Sequence, residues 1–245
     1  MDRLIYTSMT GAAAAADRQA VLANNLANVS TNGFRQELFN FRAVPVNGDG
    51  SSTRVFALET ASTHDDTPGS IQFTDRNLDA MPQGNSYFAV QGLDGTEAYS
   101  RNGGFQVNAN GTLVNSVGMT VLSADGAPID IPPNSQVSLG ADGTITAKAD
   151  GQPINTVGRL KLVTPTADAP LRRSEDGLFR ATGGDPAATD PNARIQTGAL
   201  EGSNVNAVST MVAMIEAARQ FEHNSRLMQS AEQDDKSASQ LLSMN

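Results

Sequence analysis

The sequence predicts an α+β fold in which paired N- and C-terminal helices form a coiled-coil-like inner domain, with a central antiparallel all-β domain inserted between them. Two observations predict this fold: helical periodicity at both ends of the chain, and Asp-Gly and Asn-Gly dipeptides that recur through the middle. A third observation, the scarcity of catalytic side chains, indicates a structural protein and not an enzyme: there are two His and no Cys.

The N-terminal helix is predicted over residues 3 to about 29. Its apolar residues fall near helical spacing, and the alanine run at 12–16 has high helix propensity. Asn32-Gly33 supplies the stop, because glycine accepts the left-handed conformation that often ends helices. Since the apolar face consists mostly of small side chains, the helix buries little area alone and needs a close partner.

The middle of the chain is punctuated by turn dipeptides at 94–95, 102–103, 110–111, 125–126, 142–143 and 150–151. These dipeptides supply the positive φ angles of tight hairpin turns, and the runs between them are strand-like. The predicted domains are a terminal-helix assembly domain, an extended connector with some strand, the β domain and a return connector, at residues 1–34 plus 200–245, 35–83, 84–183 and 184–199.

A second, longer helix is predicted over residues 203 to about 240, with Ser203 or Asn204 as N-cap. Its apolar and small side chains follow steps of four and three, the spacing of a coiled-coil seam. The seam residues are Ala207, Met211, Met214, Ala218, Phe221, Ser225 and Met228. Because neither terminal helix has a neighbour in sequence to cover its stripe, the helices must pack on each other or on other copies. An ordinary α+β globule, with both helices folded onto its sheet, is the alternative.

Composition excludes several classes of function. The chain is acidic, with 26 Asp+Glu against 17 Lys+Arg and a net charge of -9, which argues against nucleic acid and anionic membranes as partners. No apolar run is long enough to insert into a bilayer. The absence of Cys removes disulfides and thiolate sites. We expect no cleaved signal peptide, because Asp2-Arg3 is balanced in charge and polar residues dilute the apolar run that follows.

A search for chemistry finds no metal, cofactor or catalytic site. His64 stands beside Asp65 and Asp66, but no second ligand set has zinc-type spacing, so a hydrated loop is expected there. His223 is expected at a surface or an interface of the C-terminal helix. No phosphate loop, dinucleotide fingerprint or nucleophile elbow is present. Two alternatives stay open: an enzyme whose site is built across distant strands, and a secreted β-rich binding module.

Three ordered motifs resemble those of flagellar axial proteins, the rod and hook subunits of the bacterial flagellum. The first is residues 22–34, where asparagines recur before a Gly-Phe stop; the second is residues 87–105, beginning Tyr-Phe-Ala-Val-Gln-Gly; the third begins at Gly202-Ser203-Asn204 and continues into the C-terminal helix. Further segments resemble one rod member of this family: 41–46, 158–163, 176–180 and 240–244. Ala218 departs from the Gln usual in distal-rod and hook subunits, which remain the alternative within the family.

The resemblance implies a structural subunit of the basal-body rod that transmits torque and encloses the export channel. It implies helical assembly through the terminal helices, with itself and the proximal and distal rod subunits as partners. It also implies unfolded export by the flagellar type III apparatus, without a cleaved signal, to the periplasm-spanning rod. The expected assembly interface comprises Leu4, Ala12, Ala16, Leu22, Asn25, Leu26, Asn28, Gly33, Phe34, Asn204, Val205, Met211, Met214, Ile215, Ala218, Phe221 and Met228.

Overall fold

A computed structural model describes residues 2–45, 55–149, 151–174 and 176–243, and within these ranges one helix stands at each end of the chain with strands between them. Helix α1 spans Asp2–Ala27 and helix α2 spans Ala207–Ser243. The predicted α+β content and the order of helix, β-rich middle and helix are confirmed.

The strands are short, and every pair among the described strands is antiparallel. In chain order they are β1 (Glu37–Pro45), β2 (Val55–His64), β3 (Ile71–Phe73), β4 (Ala80–Pro82), β5 (Tyr87–Gln91), β6 (Glu97–Ser100), β7 (Phe105–Val107), β8 (Leu113–Asn115), β9 (Ser135–Leu139), β10 (Thr144–Ala149), β11 (Asn155–Arg159), β12 (Leu162–Val163), β13 (Leu171–Arg173), β14 (Phe179–Ala181), β15 (Ile195–Thr197) and β16 (Ala199–Glu201). The largest sheet has the order β12-β5-β6-β14-β13, and a three-stranded sheet has the order β11-β10-β9. Two-stranded sheets join β1 to β2, β15 to β4, β16 to β3 and β7 to β8.

The chain divides into two compact units. The helical unit comprises Met1–Val29, Gln36–Asp65 and Val205–Asn245, and the β unit comprises Ser30–Arg35 and Asp66–Asn204. The β1–β2 hairpin thus groups with the helices, whereas the sequence analysis placed it in a connector of residues 35–83. The physical reason is that both strands of the hairpin contact α1.

Strand β5 divides the core of the β unit into two clusters. Its side chains alternate between the two, as the period of a strand requires. Phe88 lies in one cluster, where its ring meets Phe105 edge-on with centroids 5.0 Å apart. Tyr87 lies in the other, 5.0 Å from the ring of Phe179. Because both faces are covered, residues 87–90 are all buried, which explains the continuous apolar run in the sequence.

The Asp-Gly and Asn-Gly turns form hairpins of one type. In each five-residue loop the first N–H donates to the fifth carbonyl, and a glycine at the fourth position donates back to the first; the loops are 92–96, 108–112, 123–127 and 140–144, and the loop at 115–119, with Val117-Gly118, has the same bonds. In each loop only the glycine has positive φ, between 78° and 92°. This is a type I turn followed by a glycine bulge, not the two-residue turn in which both central residues have positive φ.

One predicted turn is wrong. Asn102-Gly103 makes no turn, and Gly103 is not among the described glycines with positive φ. Glycine is needed there because a Cβ would lie 1.7 Å from the carbonyl oxygen of Ala80. The dipeptide marks a close approach of two backbones. Asp150, in the last predicted turn, lies outside the described residues.

Candidate assembly site

Helices α1 and α2 contact each other in an antiparallel pair. Near the start of α1, a Cβ built on Gly11 would lie 3.0 Å from Nδ2 of Asn224. Near its end, Leu22 lines a groove of about 290 Å³ together with Thr210. Since Gly11 lies opposite the middle of α2 and Leu22, later in α1, lies opposite its start, the two helices run in opposite directions.

Small side chains occupy the buried face of this pair. The buried residues of α1 include Ser8, Ala12 and Ala15, and those of α2 are Thr210, Ala217 and Ala231, each at most 5 % exposed. Those of α2 repeat with a spacing of seven residues, with the half-buried Asn224 completing the series. Small side chains allow two helix backbones to approach closely.

Several large apolar side chains of the helices face solvent instead. On α2, Val208 is 72 % exposed, Met211 50 % and Ile215 55 %, and on α1 Met9 is 51 % exposed. A soluble helix normally buries such residues and exposes small or polar ones. The terminal helices therefore present an apolar surface that the described part of the chain does not cover.

The predicted interface residues divide among three environments. Those buried are Ala12, Asn25, Gly33, Phe34 and Val205; those half-buried are Leu22, Leu26, Asn28, Asn204, Met214, Ala218 and Met228; those exposed are Ala16, Met211, Ile215 and Phe221. The side chain of Leu4 lies outside the described part of the structure. Gly33, Phe34 and Asn204 belong to the β unit and the rest to the helical unit. The α1–α2 contact itself buries Ala15 and Thr210, each of which is next to an exposed residue of the predicted interface, Ala16 and Met211.

Asn25 joins the end of α1 to the start of β1. Its amide Nδ2 donates to the carbonyl of Glu37 over 2.9 Å, and its Oδ1 accepts from the N–H of Glu37 over 2.9 Å. The side chain is fully buried, and it satisfies both backbone groups of one strand residue as a neighbouring strand would. One turn later, Asn28 donates to the carbonyl of Asn24 over 2.9 Å and satisfies a carbonyl at the helix end.

Gly33 and Phe34 anchor the segment that follows α1 to the β unit. Gly33 has a φ of 72°, its N–H donates to the carbonyl of Glu201 over 2.7 Å, and a Cβ there would lie 2.4 Å from the backbone of Arg101. The guanidinium of Arg173 stands 4.4 Å from the centroid of the buried Phe34 ring. The Gly-Phe pair is thus required by a positive φ, a backbone contact and a cation–π contact.

A buried ionic group lies beside Gly33. Glu201 Oε1 is 2.9 Å from Arg35 Nη2, and Glu201 Oε2 is 2.6 Å from Arg101 Nη2, with all three side chains at most 2 % exposed. The N–H of Gly69 donates to Glu201 Oε1 over 3.2 Å. We name Arg35, Gly69, Arg101 and Glu201 the junction cluster. Burial lowers the pKa of the Arg101 guanidinium from its usual value, and the Glu201 carboxylate opposes that shift.

The sequence did not predict this cluster. A signal was present, because Arg35 directly follows the Gly-Phe pair and Glu201 directly precedes Gly202-Ser203-Asn204. A charged residue at the edge of each motif is a candidate for an ion pair, but the sequence does not say that the two motifs meet or that Arg101 joins them.

Within the described ranges, no group of three or more His, Asp or Glu side chains is placed to hold a metal ion. His64 closes strand β2 and is half-buried, not in a loop as expected, and His223 is exposed on α2. Of the helices in the described part of the chain, neither is long and apolar enough to cross a membrane.

Comparison with known proteins finds three family models along the chain. Residues 5–35 match "Flagella basal body rod protein", residues 82–147 match "Flagellar hook protein FlgE/F/G D1 domain", and residues 196–241 match "Flagellar basal body rod FlgEFG protein C-terminal". These matches contain both asparagine-bearing motifs and the Tyr87 strand.

Similar proteins are found over the whole length. "Flagellar basal-body rod protein FlgF" of Salmonella typhimurium strain LT2 and that of Escherichia coli strain K12 are each 44 % identical, over 100 % of this chain and 100 % of theirs. "Flagellar basal-body rod protein FlgG" of Bacillus subtilis strain 168 is 30 % identical over 95 % of this chain and 96 % of its own. The rod member that the segments at 41–46, 158–163, 176–180 and 240–244 resemble is FlgF, so that expectation is confirmed.

Proposed function

The chain belongs to the family of flagellar basal-body rod proteins, and from that premise we propose that it assembles helically into the rod through its terminal helices. Membership makes it a structural protein of the bacterial flagellum that associates with other rod components. The family name does not say how the subunit is held in the rod or which of its surfaces makes the contact.

The observation that carries the proposal is the outward apolar surface of the helix pair. On α2, Met211 and Val212 lie three and four residues after Val208, Ile215 lies three residues after Val212, and each of the four is at least 50 % exposed. Exposed apolar surface of this extent marks an interaction site in a soluble protein. Met side chains are flexible and suit contacts with more than one neighbour, which a helical array of several kinds of subunit requires.

In this arrangement the helical units form the inner layer of a tube and the β units the outer layer. The inner layer encloses the export channel, and the tube transmits torque. Its neighbours are copies of itself and the proximal and distal rod subunits. We further propose that the subunit reaches the periplasm-spanning rod unfolded, through the flagellar type III apparatus and without a cleaved signal peptide.

Ile215→Asp tests the proposed surface. Because Ile215 is 55 % exposed, the substitution leaves the isolated subunit folded, with unchanged circular dichroism and thermal unfolding. Inside an assembled rod the same side chain would be a buried, unpaired charge, so incorporation is expected to fail. The measurement is the recovery of the variant in purified basal bodies, together with motility. Ser237→Asp, on an exposed residue of the same helix, is the matched control and is expected to assemble.

Normal recovery of Ile215→Asp in basal bodies, with full motility, would overturn the helix-surface account and leave the family assignment intact. Deletion of the gene separates a rod subunit from a hook subunit. Loss of a rod component leaves the membrane-embedded base without distal rod or hook. Complete hooks on the deletion strain would contradict the rod assignment.

A further inference from the structure

Glu201 bonds to parts of the β unit that are far apart in sequence. Its carboxylate reaches Arg35 and Arg101, its Oε1 accepts from the N–H of Gly69, and its carbonyl accepts from the N–H of Gly33. The residue itself is the last of strand β16, three residues before the β unit ends. One side chain near the end of the unit therefore holds together segments from its beginning and middle.

Each arginine of the junction cluster in turn donates to backbone carbonyls of other segments of the β unit. Arg101 donates from Nη1 to the carbonyls of Ser86, over 2.7 Å, and Gly84, over 3.1 Å, and from Nη2 to Pro82. This loop leads directly into β5, an inner strand of the five-stranded sheet. Arg35 donates from Nη1 to the carbonyl of Thr67.

The buried positive charges of Arg35 and Arg101 require a negative charge beside them. The side chains of Arg35 and Arg101 are 1 % and 2 % exposed, so neither guanidinium can be solvated in the folded unit. Removing one partner of a buried ion pair leaves an uncompensated buried charge, which destabilises far more than the pair itself stabilises. Burial of both arginines therefore depends on the carboxylate of Glu201, which pairs with each of them.

We propose that the β unit folds only when its last segment, residues 199–204, is in place, because that segment carries Glu201. Until then the unit does not close around Arg35 and Arg101, and the amides of its five-stranded sheet are not protected from exchange. This goes beyond the proposed role in assembly and stands whether or not that role is correct. It predicts that damage at Glu201 spreads to β5 and β6, which lie about 100 residues earlier in the chain, and does not stop at its own strand.

The experiment is a double-mutant cycle in the full-length protein with Glu201→Gln, Arg35→Gln and the two combined. Near-UV circular dichroism reports the β unit, because Tyr87 and Tyr99 are buried there and the third tyrosine, Tyr6, is exposed on α1. Glu201→Gln is expected to lower Tm by about 10 °C. The double variant is expected to regain part of that loss, because it no longer buries the Arg35 charge without a partner. Glu222→Gln, on an exposed residue of α2, should leave Tm unchanged.

Amide hydrogen exchange supplies the second measurement. The proposal expects Glu201→Gln to lose protection at residues 87–91 and 97–100 together with residues 199–201. Loss confined to 199–204, with β5 and β6 protected as before, overturns it. Additive effects of Arg35→Gln and Glu201→Gln also overturn it, because they would show that the two charges do not depend on each other. If Glu201→Gln alone fails to fold, recovery of folding in the double variant supports the proposal and its absence contradicts it.

Discussion

The amide side chain of Asn25 substitutes for a strand backbone at the end of α1. Its Nδ2 donates to the carbonyl of Glu37 and its Oδ1 accepts from the N–H of Glu37, and the side chain is buried away from solvent. Asn25→Ala leaves these two groups buried and unpaired, and we expect the helical unit to lose about 2–3 kcal/mol of stability. Urea unfolding followed by far-UV circular dichroism measures the change. Gln19→Ala, on an exposed position of the same helix, should change stability by less than about 0.5 kcal/mol. A neutral Asn25→Ala would contradict the assigned role.

Asp94 is held in its charged form by its own hairpin. The hydroxyl of Thr96 donates to its carboxylate over 2.8–2.9 Å and Arg180 Nη1 donates to it over 2.8 Å, and these bonds, Thr96 first, lower the pKa of Asp94 to about 2. Because the folded pKa lies below the ordinary value, the contribution to stability is complete above about pH 4 and is lost as the pH falls through about 2.

A carboxyl titration by NMR tests the pKa of Asp94. We expect a midpoint near 2 in the native protein and a higher midpoint in Thr96→Val, which removes the hydroxyl donor. Thr146→Val, elsewhere in the β unit, serves as the control and should leave the midpoint unchanged. A midpoint at the ordinary value for aspartate in the native protein would show that the hydrogen bonds to Thr96 and Arg180 are absent in solution.

Single residues were predictable where one local rule decides their place. Gly33 has positive φ, as its sequence context indicated, although α1 already ends at Ala27, before the predicted stop. The type of the Asp-Gly turns was not predictable from the dipeptide, because a glycine bulge and a two-residue turn both use glycine at positive φ. The part played by Glu201 was hidden for a different reason: its partners Arg35 and Arg101 are brought to it only by the completed fold.

At the scale of the helices, close packing depends on the smallest side chains. Ala217 is fully buried on the heptad face of α2, and Ala218 beside it is half-buried. Ala217→Leu inserts three carbon atoms into this face, and we expect a loss of about 1–3 kcal/mol from the helical unit. Ala218→Leu should cost less. Thermal unfolding of the two variants compares them directly, and equal stabilities would show that Ala217 does not lie in the helix contact in solution.

The sequence predicted a seven-residue repeat on α2, but it did not predict which residues of each repeat are buried. The sequence predicted Met211 and Ala218 in the seam because both lie at helical spacing. Met211 is more apolar than Thr210 beside it, and Ala218 is as apolar as Ala217. The structure buries Thr210 and Ala217, one residue earlier. Hydropathy ranks Met above Thr, whereas close approach of two helices favours the smaller side chain. Size therefore decides which residues line the α1–α2 contact, while the exposed Met211 stays a predicted residue of the contact between subunits.

At the scale of the whole molecule, the two units should differ in stability when the subunit is alone. The β unit buries aromatic and branched side chains such as Phe88 and Leu113, and the helix pair buries mostly Ala, Ser and Thr. Since stabilisation follows apolar area, we expect dilute protein to be a monomer with a protected β unit and weak amide protection across residues 207–231. Hydrogen exchange on a proven monomer measures this, and strong protection of that helix would contradict it.

The position of Glu201 also affects how fast the β unit folds. Gly69 and Arg101 bond to it across 132 and 100 residues of chain. Contacts between residues so far apart form only after long loops close, and folding slows as the average separation of contacting residues grows. A β unit built this way folds on a scale of milliseconds to seconds, slower than a helical domain of similar size. If the subunit is exported as an extended chain, as proposed above, that delay is the interval in which the chain can still enter a narrow channel.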